Sequence, residues 1–108
     1  MKVQFTLAPN DRLAIWEFPL PGDEYLIAGD VSEGLDGGDY SCGQVIRRSN
    51  FKQVAVWHGM TEPADFGRSL FLLGYFFNLA ILAVERNASG ISVIDYLRSA
   101  QYPNIYKM

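Results

Sequence analysis

The sequence predicts an α/β fold: an antiparallel three-strand meander, then a helical crossover to a parallel strand, with helices packed on the resulting mixed sheet. Three observations carry this. Apolar runs bounded by turn residues occupy 25–31, 40–48 and 51–59, which is the length and punctuation of strands. A stretch of helical periodicity follows, in which Phe66, Leu70, Leu73 and Phe77 share one face. Residues 79–85 then form a short apolar run between Asn78 and Asn87, too short for a second helix and suited to a buried strand.

The elements follow in chain order. Leu13 to Trp16 is a short strand, ended by the breakers Pro19, Pro21 and Gly22. YLIAGDV (25–31) is apolar on both faces, as a central strand is. SEGLDGGD (32–39) is a turn whose three glycines supply positive backbone angles. The strands 40–48 and 51–59 form a hairpin around Ser49 and Asn50, with alternation at Phe51, Val54, Val56 and His58. The first helix starts at Thr61 or Glu62 as cap, with Pro63 in its first turn and Asp65 at the favourable end of the dipole. Phe71, Leu72 and Phe76 widen its apolar stripe, so it is expected to be covered on more than one side, with Phe71, Tyr75 and Phe76 in the core. Asn87 caps a second helix running to about Ser99 with Ile91, Ile94 and Leu97 inward, and YPNIYKM is irregular.

At 108 residues, with 49% hydrophobic and 14% aromatic residues, the chain is expected to be one domain spanning 1–108 with a substantial core. The single cysteine, Cys42, excludes an internal disulfide and a cysteine-rich zinc site, and fits a reducing, cytoplasmic compartment. MKVQFTLAPNDR lacks the apolar core of an export signal. SLFLLGYFFNLAILAV (69–84) is shorter than the roughly 20 apolar residues of a membrane span and contains Asn78, so no membrane contact is expected. A net charge of -3 argues against nucleic-acid binding by the chain alone. Bound divalent cations, or basic polypeptide outside these residues, would offset that deficit.

In an up-down-up meander followed by a helical crossover, strands 25–31, 51–59 and 79–85 run parallel, so Asp30 and Glu85 both lie at carboxyl ends. That edge is where open sheets bind ligands. Each acid closes an apolar run with no Lys or Arg before it, and an ionised carboxylate there needs a cation or several donors. A hard divalent metal suits them. Together they can hold one or two Mg²⁺ or Mn²⁺ ions, the arrangement that activates water in phosphodiester cleavage. Taken singly, either acid also reads as a turn former or a helix-dipole partner.

Asp39 is placed either to hydrogen-bond a metal-bound water or to stabilise its own turn. His58 ends a strand at the same edge, near DNA or simply exposed, and Asn87 is a helix cap within reach of a phosphate. Gly90 permits close approach of that helix start. Glu33 and Asp36 read as solvated loop charges, and a calcium loop over 30–41 fails because its twelfth position is Ser41. Arg47, Arg48 and Lys52 form the one basic cluster, at the opposite end of the sheet and roughly 25 Å from Asp30, which suits a solvated hairpin tip or a surface for a neighbouring domain.

YLIAGDVSEGLDGGDYS and VAVWHGMTEPADFGRSLFLLGYFFNLAILAVERNASGISVIDYLRSAQYPNIY resemble the C-terminal nuclease domain of the large terminase subunit of tailed bacteriophages, over roughly residues 11 to 106. The most specific parts are the "GD...G...GD.S" block, "HG...P..F", and "ERN..G" followed by "YPN.Y". The resemblance implies a ribonuclease H-like fold and a two-metal endonuclease that cuts concatemeric double-stranded viral DNA during packaging, with Asp30 and Glu85 as catalytic metal ligands. It implies Mg²⁺ or Mn²⁺ as cofactor. As partners it implies the terminase ATPase domain, the portal protein and the small terminase subunit, in the cytoplasm of a bacterial host. The family's third metal acid lies in a later segment, beyond Met108, and no GxxxxGK[ST] phosphate loop is present. The nuclease core is therefore expected to be C-terminally incomplete. Two other readings stay open: a terminase fragment that folds or docks without cutting, and an actin-like phosphate-binding domain.

Overall fold

The computed structural model describes residues 3–8, 11–31, 41–59 and 62–106. Its elements are β1 (Val3–Ala8), β2 (Asp11–Ile15), β3 (Tyr25–Asp30), β4 (Ser41–Arg47), β5 (Lys52–Gly59), α1 (Pro63–Phe76), β6 (Ile81–Val84) and α2 (Ala88–Ser99). They build a six-stranded sheet in the order β1-β2-β5-β4-β3-β6. β3, β4 and β5 form the expected antiparallel meander, and β6 lies parallel to β3 after the crossover through α1. This is the mixed α/β architecture that the sequence predicts.

Both helices contribute to one core. Ile27, Val45, Trp57 and Leu82 of the sheet are buried with Phe66, Leu70 and Phe77 of the first helical segment and Val93 and Leu97 of α2. Trp57 and Phe66 rings lie 5.0 Å apart, and Tyr25 meets Phe77 edge-on at 5.2 Å. On the opposite face Ala28, Gln44, Val56 and Ala83 are half-buried or exposed.

The Pro21-Gly22 turn follows from its residues. Asp23 N–H donates to Leu20 O at 3.1 Å, and Gly22 at φ 81° supplies the positive angle. Asn78 locks this turn to the end of α1: it takes φ 61° and its Nδ2 donates to Leu20 O and Asp23 O at 2.9 and 3.0 Å.

Several expectations need correction. The sequence pattern predicts no strand before Leu13, whereas β1 pairs with β2, which extends the sheet beyond β5. The alternation at Phe51, Val54, Val56 and His58 is broken by a register shift opposite β5, between Val45 and Ile46. Phe51 sits exposed in the turn, Val54 and Ala55 are both buried, and beyond them Trp57 is buried while Val56 and His58 are half-buried. Ile91 is 44% exposed and Val93 takes its place inward. The wide stripe of α1 is not covered on a second side among the described residues: Leu72 is 62% exposed and Phe76 48%, and Tyr75 is exposed too. Glu62 occupies the cap position of α1 without a side-chain hydrogen bond, and Thr61 lies outside the described residues.

The C-terminal segment is more ordered than its composition suggests. Ile105 forms a parallel bridge to Leu82, with Leu82 N–H donating to Asn104 O and Tyr106 N–H donating to Leu82 O, both at 2.9 Å. Tyr102 is buried, and its hydroxyl donates to Ala80 O. Burial, and secondly the neighbouring Tyr75, push its phenol well above the usual tyrosine range. With the folded value raised, the contribution of Tyr102 is intact below the unfolded pKa of about 10 and is lost as pH rises toward the folded value. Tyr102→Phe is expected to cost about 1 kcal/mol at pH 7 and to flatten the loss of stability above about pH 10. Urea melts at neutral and alkaline pH check both.

Candidate metal centre

Two glycines set which way the acids face. A Cβ on Gly29 would lie 3.3 Å from Leu70 Cδ1 and 3.5 Å from Val84 Cγ2, and one on Gly43, paired with Gly29 across β3 and β4, would lie 3.0 Å from Leu70 Cδ2. Gly29, Gly43 and Val84 therefore face the helix layer, and Leu70 nests in the hollow they leave. Strand alternation turns Asp30, Cys42 and Glu85 to the open face.

Register brings the two acids together. Gly29 aligns with Val84 in the parallel β3–β6 pair, and Glu85 N–H continues the ladder by donating to Gly29 O at 3.0 Å. Asp30 and Glu85 are the next residues on adjacent strands, whose backbones run about 4.8 Å apart. Both are exposed.

The start of α2 holds Glu85 in place. Asn87 Oδ1 accepts from Gly90 N–H at 2.7 Å, and Asn87 Nδ2 donates to Val31 O at 3.0 Å. Its amide is engaged at both ends as a cap and as a tie to the end of β3, so the structure gives it a positioning task. Gly90 is required by contact: a Cβ there would stand 1.8 Å from Glu85 O.

His58 lies at the same rim but not beside the acids. Asp30 pairs with Cys42, Cys42 with His58, and His58 with Arg12 across four strands. His58 is therefore two strands from Asp30, about 10 Å. Burial first, and Asp30 second among the raising causes, push the Cys42 thiol up. Asp39, with Glu33 and Asp36, lies outside the described residues.

The basic cluster is at the far end, as expected, but it is not a simple solvated tip. Arg47 meets Asp23 at 2.6 Å and Glu17 at 3.7 Å, Arg48 meets Glu24 at 3.5 Å, and Lys52 pairs with Glu17. The partners come from the breaker segment before β3, whose acids carried no periodic signal. An apolar groove of about 430 Å³, lined by Leu13, Ile15, Phe18, Trp57, Leu72 and Phe76, lies on the helix side of the sheet, away from the acids.

The donor set of the acid pair suits a hard cation. It is oxygen only, and a magnesium-type ion typically takes one or two carboxylates and fills its remaining positions with water and substrate phosphate. Among the described residues no group of three or more His, Cys, Asp or Glu is close enough to hold a metal ion. Also among them, no helix is long and apolar enough to cross a membrane.

No protein-family model matches the chain, and no curated protein does. Solved structures do match. The large terminase nuclease of thermophilic phage G20c aligns with a TM-score of 0.74 and 18% identity over 89% of this chain and 50% of its own. This chain has the fold of a phage terminase nuclease domain. The G20c nuclease with bound magnesium superposes with the same TM-score and identity, over 89% of this chain and 49% of its own. The Thermus phage P74-26 large terminase nuclease domain gives 0.69 and 19%, over 89% and 47%. The G20c nuclease is also known with zinc and with cobalt. The chain thus spans about half the length of the terminase nucleases it matches.

Proposed function

We propose that this chain is the metal-dependent endonuclease core of a phage DNA-packaging terminase, acting on double-stranded, concatemeric DNA. The observation that carries this reading is the pairing of Asp30 and Glu85 on adjacent parallel strand ends, on the open face, in a fold shared with terminase nucleases.

In this reading Asp30 and Glu85 hold the metal, two Mg²⁺ or Mn²⁺ ions when the site is complete. Such ions supply an activated water and stabilisation of the leaving oxygen. The chain's own residues set the geometry: β3 and β6 fix the carboxylates one strand spacing apart, and Asn87 and Gly90 seat the helix that supports Glu85. His58 lies along the DNA path. The ATPase domain, portal protein and small terminase subunit are the proposed partners, in the cytoplasm of the host.

Supercoiled plasmid incubated with Mn²⁺ tests the assignment. A nuclease that carries this core together with its third metal acid is expected to convert it to nicked and linear forms, and Asp30→Asn is expected to slow this by more than about 100-fold, a loss of about 3 kcal/mol of transition-state stabilisation. Equal cutting by the variant would reject the role of Asp30.

A further inference from the structure

Cations are sorted between the two ends of the sheet. Arg47, Arg48 and Lys52 at the far end are each paired with carboxylates, and Arg68 on α1 pairs with Asp65. At the acid rim, Arg12 is exposed and, like the exposed Arg86 next to Glu85, forms no ion pair among the described residues.

The face on which Arg12 lies follows from its neighbours. Leu13 and Ile15 line the groove beside α1, so Arg12 and Ala14 point to the open face by alternation. Arg12 therefore stands in the same row as His58, Cys42 and Asp30. Three strand spacings separate it from Asp30, about 14 Å, which is close to the axial rise of four nucleotides at roughly 3.4 Å each. The next row of this face is Ala14, Val56, Gln44, Ala28 and Ala83. Its mostly small side chains leave a low surface on which a phosphodiester backbone can lie.

We propose that Arg12 anchors a backbone phosphate, so that one DNA strand crosses the sheet from Arg12 over His58 and Cys42 to the scissile position at Asp30 and Glu85. The track rests on the nuclease reading, and it adds a positioning residue that neither the sequence periodicity nor the acid pair indicates. The guanidinium offers a fixed fork of donors to phosphate and carries no base-specific information.

The test is the salt dependence of binding of the 108-residue chain to a fluorescent duplex, with Ca²⁺ in place of Mg²⁺ to hold back cleavage. Arg12→Ala is expected to weaken binding severalfold at low salt and to lower the slope of log K against log salt by about one, irrespective of sequence. Arg12→Lys should keep the wild-type slope, and Arg98→Ala, at the end of α2, should change neither quantity. If Arg12→Ala lowers the melting temperature, Arg12→Gln serves as the second charge-removing variant. Wild-type slope and affinity in these variants, an equal loss in Arg98→Ala, or no duplex binding by the wild type would overturn the proposal. Mn²⁺ binding to the acid pair is measured separately and should be unchanged in Arg12→Ala. Loss of the track therefore leaves the nuclease reading standing, whereas loss of metal binding removes both.

Discussion

Gly90→Ala is expected to lower the melting temperature by roughly 10–20 °C. Inside a helix this change ordinarily stabilises by about 0.5–1 kcal/mol. Here the added methyl would stand 1.8 Å from Glu85 O, a backbone atom that no rotamer change can move aside. Either α2 lifts from the end of β6, losing the Asn87 cap and part of the burial of Val93 and Leu97, or the chain at Glu85 shifts. Overpacking against backbone costs about 3 kcal/mol or more, and each kcal/mol moves the midpoint of a domain of this size by roughly 4–8 °C. A melt followed by circular dichroism decides the sign. An unchanged or raised midpoint would mean that α2 does not rest on Glu85 as described.

The legible parts of this fold were those that periodicity and punctuation encode. YLIAGD and LAILAVE are short, apolar and bounded by turn residues, so the parallel pair that ends in Asp30 and Glu85 is legible in the sequence. Asn87 announced its cap, and its Oδ1 accepts from Gly90 as a capping residue does. The failures share a cause: they depend on what lies across the sheet. The inward turn of α2 falls on Val93 instead of Ile91 because α2 packs against both α1 and β6, a choice that a stripe of several apolar residues leaves open. The apolar flank of α1 reads as core, yet it faces an open groove. Arg47, Arg48 and Lys52 read as a basic patch because Glu17, Asp23 and Glu24 lie up to 35 residues away in sequence. Arg12 carried no signal at all until register placed it in line with Asp30.

Asp30→Asn and Glu85→Gln are each expected to weaken Mn²⁺ binding by more than about 100-fold, since even outer partners of metal ligands are worth 10–100-fold. The reason is charge as much as geometry. A neutral amide retains the size of the group and one carbonyl oxygen, but removes half of the anionic charge that the described residues bring to the ion. Neither change touches the core, so melting temperatures without metal should stay within a few degrees of the wild type.

Whether the two carboxylates share one ion is decided by calorimetric titration of Mn²⁺ into the wild type, Asp30→Asn, Glu85→Gln and the double variant. A shared site predicts strong non-additivity, with the double variant little worse than either single one. Losses that simply add, or a single variant that binds as the wild type does, would contradict a common metal at the ends of β3 and β6.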